Sequence, residues 1–186
     1  MSSTVRIAPV EPADVTPEQA ELVGDWTHLV FSRVIVNSPR MYRTFVPHIA
    51  AVIAQTSLPP RERQIIVLRT LAICNDTYEL AHHVKISRNA GIGEDEIAAF
   101  QSGTGNCLSD FDRTLIKATD ELESDKVISD ATWAVLAQRY STEQLMDVVF
   151  VAGCYQTMAM LTKSFGMELE PADGEFEEIN KLRAYT

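Results

Sequence analysis

The sequence predicts an all-α domain, and three observations carry that prediction. Apolar residues recur at spacings of three and four along most of the chain, as on one face of a helix. Residues that cap helices stand just ahead of those runs. No pair of alternating segments is joined by hairpin turn chemistry, and no internal repeat is evident.

The first helix start is Thr16-Pro17-Glu18-Gln19, with Thr16 as N-cap, Pro17 in the first turn and Gln19 closing a capping box. The run that follows carries Leu22, Trp26, Leu29 and Val30 and reads as one continuous helix. Asn37-Ser38-Pro39 opens a second helix, in which Pro47 is expected to cause a kink or an interruption because it lacks an amide proton. Beyond Ser57-Leu58-Pro59-Pro60, a third helix from about Arg61 buries a wide face that includes Ile65, Ile66, Leu68, Ala72 and Ile73. Asn75-Asp76-Thr77 breaks the chain before a fourth helix over about 78–90, which Gly91 ends.

Gly93 precedes Glu94-Asp95-Glu96, a charge pattern suited to the positive end of a further helix. Residues 102–106 read as a loop that does not separate domains. Ser109, Ser129 and Ser141 each cap a later run. The last of these, over about 145–161, is apolar on nearly every side at 148–152, which places it in the core or at a subunit interface. The expectation is a single domain over 1–186 with an acidic C-terminal tail from about 167. That tail holds Glu168, Glu170, Asp173, Glu175, Glu177 and Glu178 with no basic residue among them.

The chain has 186 residues, enough for one well-buried core. With 46% hydrophobic and 23% charged residues, its balance is that of a folded domain rather than a disordered chain. Sixteen Lys and Arg against 26 Asp and Glu give a net charge of −10, so nucleic acid and anionic membrane are unfavoured partners. No uninterrupted apolar run approaches the roughly 20 residues of a membrane span. The first six residues lack the basic-then-apolar order of a secretory signal, and the expected location is cytoplasmic. Cys74, Cys107 and Cys154 form neither a CxxC nor a zinc-ribbon pattern and are expected to be buried, reduced thiols.

The segment Tyr78-Glu79-Leu80-Ala81-His82-His83 carries the candidate chemistry. Residues four apart on a helix lie about 40° from each other, so Glu79 and His83 share a face. A carboxylate beside an imidazole can fix its tautomer and raise its proton affinity, which poises a general acid or base. The same spacing also suits an ordinary surface ion pair. Glu79, His82 and His83 offer metal-ligand types, but adjacent histidines do not converge on one ion from a regular helix, and His28 and His48 are distant in sequence. No metal is expected.

The run from Leu58 to Gly91 resembles the carboxymuconolactone decarboxylase-like family of the alkyl hydroperoxidase D-like (AhpD-like) superfamily. The resemblance rests on Leu58-Pro59-Pro60-Arg61, Leu68-Arg69 with Ala72, Tyr78-Glu79, His83 and Ala90-Gly91. It continues in Asn37-Ser38-Pro39, Asp120-Glu121-Leu122, Ile128-Ser129-Asp130-Ala131-Thr132-Trp133 and Gly166-Met167-Glu168-Leu169-Glu170, and so covers nearly the whole chain. It implies a helical homotrimer or homohexamer with sites at or near subunit contacts. The peroxidase-like branch carries CxxC on the fourth helix; those positions hold Asp76 and Glu79 here, so a thiol relay lacks both its attacker and its resolving partner. Relatives commonly carry a glutamate where this chain has Gln64, which can orient a partner but cannot exchange a proton.

What the resemblance implies is a cofactor-independent decarboxylase or lyase acting on a small carboxylated lactone or oxo-acid. Protonated His83 is the expected donor to carbon, with Glu79 orienting it, and Gln64, Tyr78 or His82 would bind the substrate oxyanion. The alternative is a non-catalytic ligand-binding or assembly protein on the same scaffold. A carboxylate substrate calls for a cation, yet Arg33, Arg40, Arg43 and Arg69 read as solvated or paired residues.

Overall fold

The computed structural model describes residues 4–170, and every described regular element is helical. The described residues form two compact units: 4–55 together with 160–170, and Thr56–Ala159.

In the first unit a 3-10 turn at Pro12–Asp14 leads to α1 (Pro17–Val23), which starts as its sequence dictates. Thr16 accepts from the Gln19 amide at 3.2 Å, and the Gln19 side chain accepts from the Thr16 amide at 3.0 Å. The continuous helix expected through Val30 is divided. Gly24 takes a φ of 52°, outside helical geometry, and a 3-10 turn (Gly24–His28) intervenes before α2 (Val30–Ile35). Trp26 and Leu29 therefore fall outside both α-helices.

α3 (Pro39–Ala54) runs without interruption through Pro47, although one ladder bond is lost there. It buries Tyr42, Ile49 and Val52, spaced by seven and three. Of the acids expected in a solvated tail, Glu168 is exposed, but the chain is attached on either side of it. Met167 is buried, and a Glu170 carboxylate oxygen accepts from the Val30 amide at 2.7 Å, satisfying a donor at the start of α2. Asp173, Glu175, Glu177 and Glu178 lie outside the described residues.

The second unit is organised around α4 (Pro60–Cys74), which packs against α5 (Thr77–Asn89), α6 (Glu94–Ser102) and α7 (Asp110–Asp125). Gln64 to Leu68 are five consecutive buried residues, so α4 is enclosed on all sides rather than on one face. Ile73, expected in its core face, is exposed.

Charged pairs fix the helices around α4. The Arg61 guanidinium spans Glu96 and Asp112, each at 2.7 Å, and Arg69 reaches Asp120 at 2.6 Å and the Gln101 carbonyl at 2.8 Å. Buried Glu62 accepts from Arg139 and, at 2.6 Å, from the Tyr140 hydroxyl. Arg33 and Arg43 pair with Glu11 and Glu18 in the first unit, so three of the four arginines weighed above are held by acids.

α8 (Asp130–Leu136) follows its Ser129 cap, and α9 (Thr142–Phe165) follows Ser141, which accepts from the Gln144 amide at 3.2 Å. The sequence showed no uninterrupted apolar run of spanning length. The 24-residue α9 nevertheless has a window of mean hydropathy 1.4 that is long and apolar enough to cross a membrane. Half of that window is buried within the protein, as in a core helix. Leu145, Val148, Ala152, Tyr155 and Ala159 form its buried stripe; Met146, Val149 and Phe150 are exposed on the other side.

Candidate active site

The site is built where α4 ends and α5 begins. Asn75 closes α4 in the left-handed conformation, with φ of 51°. Asp76 then caps α5, its carboxylate accepting from the amides of Tyr78 at 3.0 Å and Glu79 at 3.3 Å. Asp76 occupies the first position of the peroxidase-like CxxC pattern and serves the backbone.

From this start α5 turns Glu79, His82 and His83 into the protein, where they are 6%, 8% and 3% exposed. Burial at that level removes the surface ion-pair reading. The Nδ1 of His83 meets Gln64 Oε1 at 3.1 Å, and one turn later the Ser87 hydroxyl donates to the same oxygen at 3.3 Å. An amide oxygen can only accept, so Nδ1 carries the proton and the ring's lone pair is at Nε2.

The Tyr155 ring meets His83 edge-on, at 4.7 Å between centroids. His82 donates from Nδ1 to the Tyr78 carbonyl at 2.8 Å and lies against the Tyr78 ring, with centroids 4.6 Å apart. The structure thus joins Gln64 with His83, and Tyr78 with His82. The Glu79 charge acts on Tyr155 and on Cys154.

Two features differ from what the spacing suggested. The Nδ1 partner of His83 is Gln64 from the neighbouring helix, not Glu79 from its own. Burial, with His82 and the Arg63 cation adding to it, pushes the His83 ring down to about 3, so the ring is neutral near pH 7. The expected imidazolium held by Glu79 is therefore not the resting state.

Three residues enter that were not singled out from the sequence: Ser87, Arg63 and Tyr155. The Arg63 guanidinium acts on both His83 and Tyr155; burial lowers its proton affinity, yet an arginine stays cationic. Tyr155 is fully buried, and its hydroxyl has no hydrogen-bond partner among the described residues. Such a hydroxyl costs about 1–3 kcal/mol.

Thiol chemistry finds no support in this geometry. Burial and the Glu79 charge push the Cys154 thiol up to about 12, Cys74 lies 3.9 Å from a Glu123 carboxylate oxygen, and Cys107 is exposed rather than buried. Among the described residues no group of three or more His, Cys, Asp or Glu is placed to hold a metal ion.

Residues 39–103 match the carboxymuconolactone decarboxylase family, a segment that includes α3, α4, α5 and α6 with Gln64, Glu79 and His83. No curated protein matches the chain. Among solved structures, the fold is similar to the AhpD core of an uncharacterised peroxidase-related protein from Ralstonia eutropha JMP134. That match has a TM-score of 0.72 and 16% identity, and covers 92% of this chain and 95% of that one.

An uncharacterised peroxidase-related protein from Silicibacter sp. TM1040 gives a TM-score of 0.71 at 16% identity, covering 93% and 96% of the two chains. A protein of unknown function from Agrobacterium tumefaciens, related by its description to the antioxidant defence protein AhpD, gives 0.66 at 20% identity, covering 72% and 92%. The chain thus has the AhpD-like fold, and its segment 39–103 is similar to the carboxymuconolactone decarboxylase family.

Proposed function

We propose that the protein is a cofactor-independent lyase of the decarboxylase type, acting on a small carboxylated lactone or oxo-acid with His83 as the proton carrier. The observation that supports this most is a buried imidazole whose Nδ1–H is fixed on Gln64, leaving Nε2 as its basic atom, with the Arg63 cation acting on the same ring.

In the free protein the ring is neutral. A substrate carboxylate held by Arg63 brings a negative charge beside it, which raises the proton affinity of Nε2. The protonated ring then faces a substrate whose C–CO2 bond can break. The electron pair of that bond passes into the conjugated carbonyl, carbon dioxide leaves, and the enolate carbon takes the proton from Nε2. One proton is consumed per turnover and the ring ends neutral. A buried imidazolium is a strong acid, so it gives its proton up readily.

Gln64 orients the ring rather than exchanging a proton with it, Tyr78 holds His82, and Glu79 sets the charge around Tyr155. The exposed apolar side of α9 at Met146, Val149 and Phe150 supports self-association, for which the family resemblance implies a homotrimer or homohexamer.

The test is a steady-state screen of carboxylated lactones and β-keto acids with the parent and His83→Asn. On a turned-over substrate, kcat/KM reports the free protein. With the free ring ionising near 3, kcat/KM falls about tenfold per pH unit from pH 5 to 8, without a plateau. A plateau below pH 6.5, or turnover that survives His83→Asn, overturns the reading. Binding without turnover across the panel favours the ligand-binding alternative.

A further inference from the structure

We propose that the Tyr155 hydroxyl is the hydrogen-bond donor to the carbonyl oxygen of the bound ligand at the His83 site, and hence a catalytic residue of this protein. The inference rests on the proposed lyase reading and extends it to the atom that would receive the electron pair.

Tyr155 is placed by α9, a helix that the sequence presents as core or subunit interface. Its ring is wholly buried and stands edge-on to His83, at 4.7 Å and 89°. Its hydroxyl has no hydrogen-bond partner among the described residues. A core needing only bulk there would be served by phenylalanine, which fills nearly the same volume without burying an unsatisfied hydroxyl. Among the described residues the hydroxyl is therefore left with a donor to offer a ligand.

Its surroundings define what it suits. The Arg63 cation acts on both Tyr155 and His83, while the Glu79 charge acts more strongly on Tyr155, so a ligand between the rings meets a cation beside His83 and an anion that keeps the phenol protonated. A phenol remains protonated in this buried setting and serves as a donor, not as a base. Donation strengthens as charge develops on the acceptor, so the same bond that holds a ground-state carbonyl stabilises the enolate oxygen more strongly. The chemical class that the lyase reading brings to this site is a small carboxylate that also bears a carbonyl one ring or one short chain away, with the carbonyl on Tyr155 and the reacting carbon facing His83.

The test uses Tyr155→Phe and two probes, the lactone 5-oxotetrahydrofuran-2-carboxylate and its carbonyl-free counterpart tetrahydrofuran-2-carboxylate, with binding measured by calorimetry on the full-length assembled protein. Urea unfolding of the unliganded variant is measured alongside. The expected result is a variant at least as stable as the parent. It should bind the lactone about 5- to 30-fold more weakly, the range for losing one such hydrogen bond, and the carbonyl-free acid as the parent does.

A less stable variant would show that the hydroxyl has a structural partner within the protein, which overturns the inference. Equal binding of both probes by parent and variant overturns it while leaving the His83 reading intact. Failure of the parent to bind either probe removes the substrate class itself, and the inference falls with it.

Discussion

Replacing His83 with Asn gives the sharpest reading of how its ring is held. The Asn amide nitrogen can stand where Nδ1 stands, so the donor to Gln64 Oε1 is kept while the titrating ring is removed. In the unfolded chain the imidazole takes up a proton below its ordinary value of 6.5; in the folded protein it does so only near 3. The folded value is depressed, so this group's contribution to stability is fully present above 6.5 and is lost as pH falls from 6.5 towards 3.

At pH 5 about one unfolded ring in thirty remains neutral, whereas at pH 7 most are, and the difference is about 2 kcal/mol. Urea unfolding at fixed protein concentration, compared at pH 7 and pH 5, measures it. The parent should lose about 2 kcal/mol more than His83→Asn over that interval, whatever constant offset the lost ring contacts impose. Parallel pH dependences would mean that the folded ring ionises like the unfolded one, and the buried, neutral His83 would be refuted.

Two further outcomes follow from burial and exposure. Phe150→Asp places a charge on the exposed apolar side of α9, so under the proposed assembly light scattering should show a smaller mass than the parent with unchanged helical content; a monomeric parent or an unchanged mass would contradict assembly through this face. Iodoacetamide at pH 8 should label exposed Cys107 in the native protein and leave Cys154 unlabelled, because that thiol is buried and pushed up to about 12; rapid native labelling of Cys154 in peptide mass spectra would contradict this.

The helix starts were legible because local side chains write them. Thr16, Ser109, Ser129 and Ser141 cap as their spacing predicts, and Asp76 does the same for α5. The break at Gly24 was not legible, because apolar periodicity carried on across a residue whose backbone left the helix. Pro47 erred in the other direction: one lost hydrogen bond does not end a sixteen-residue helix.

At the site, sequence spacing placed Glu79 and His83 on one face of α5, and both are buried there. It could not show which way the imidazole turns. The choice between Glu79 on its own helix and Gln64 on α4 is made by packing between residues 19 apart. Tyr155 lies 72 residues beyond His83, and its apolar neighbours on α9 disguised it as core filling. Arg63 was hidden differently, since an arginine beside Gln64 is notable only once α4 is known to be enclosed on all sides. Ser87 had a signal available, one turn after His83 on the same face.

The measurement that tests the central claim most directly is the ionisation state of His83 itself. Nitrogen-15 NMR of the histidine-labelled protein, with His83 assigned by its loss in His83→Asn, reports the tautomer and charge of each of the four rings. The account predicts that His83 shows a protonated Nδ1 and a lone pair at Nε2, unchanged from pH 8 to pH 4.5. A His83 ring that takes up a proton near 6.5, or one that carries its proton on Nε2, would contradict it.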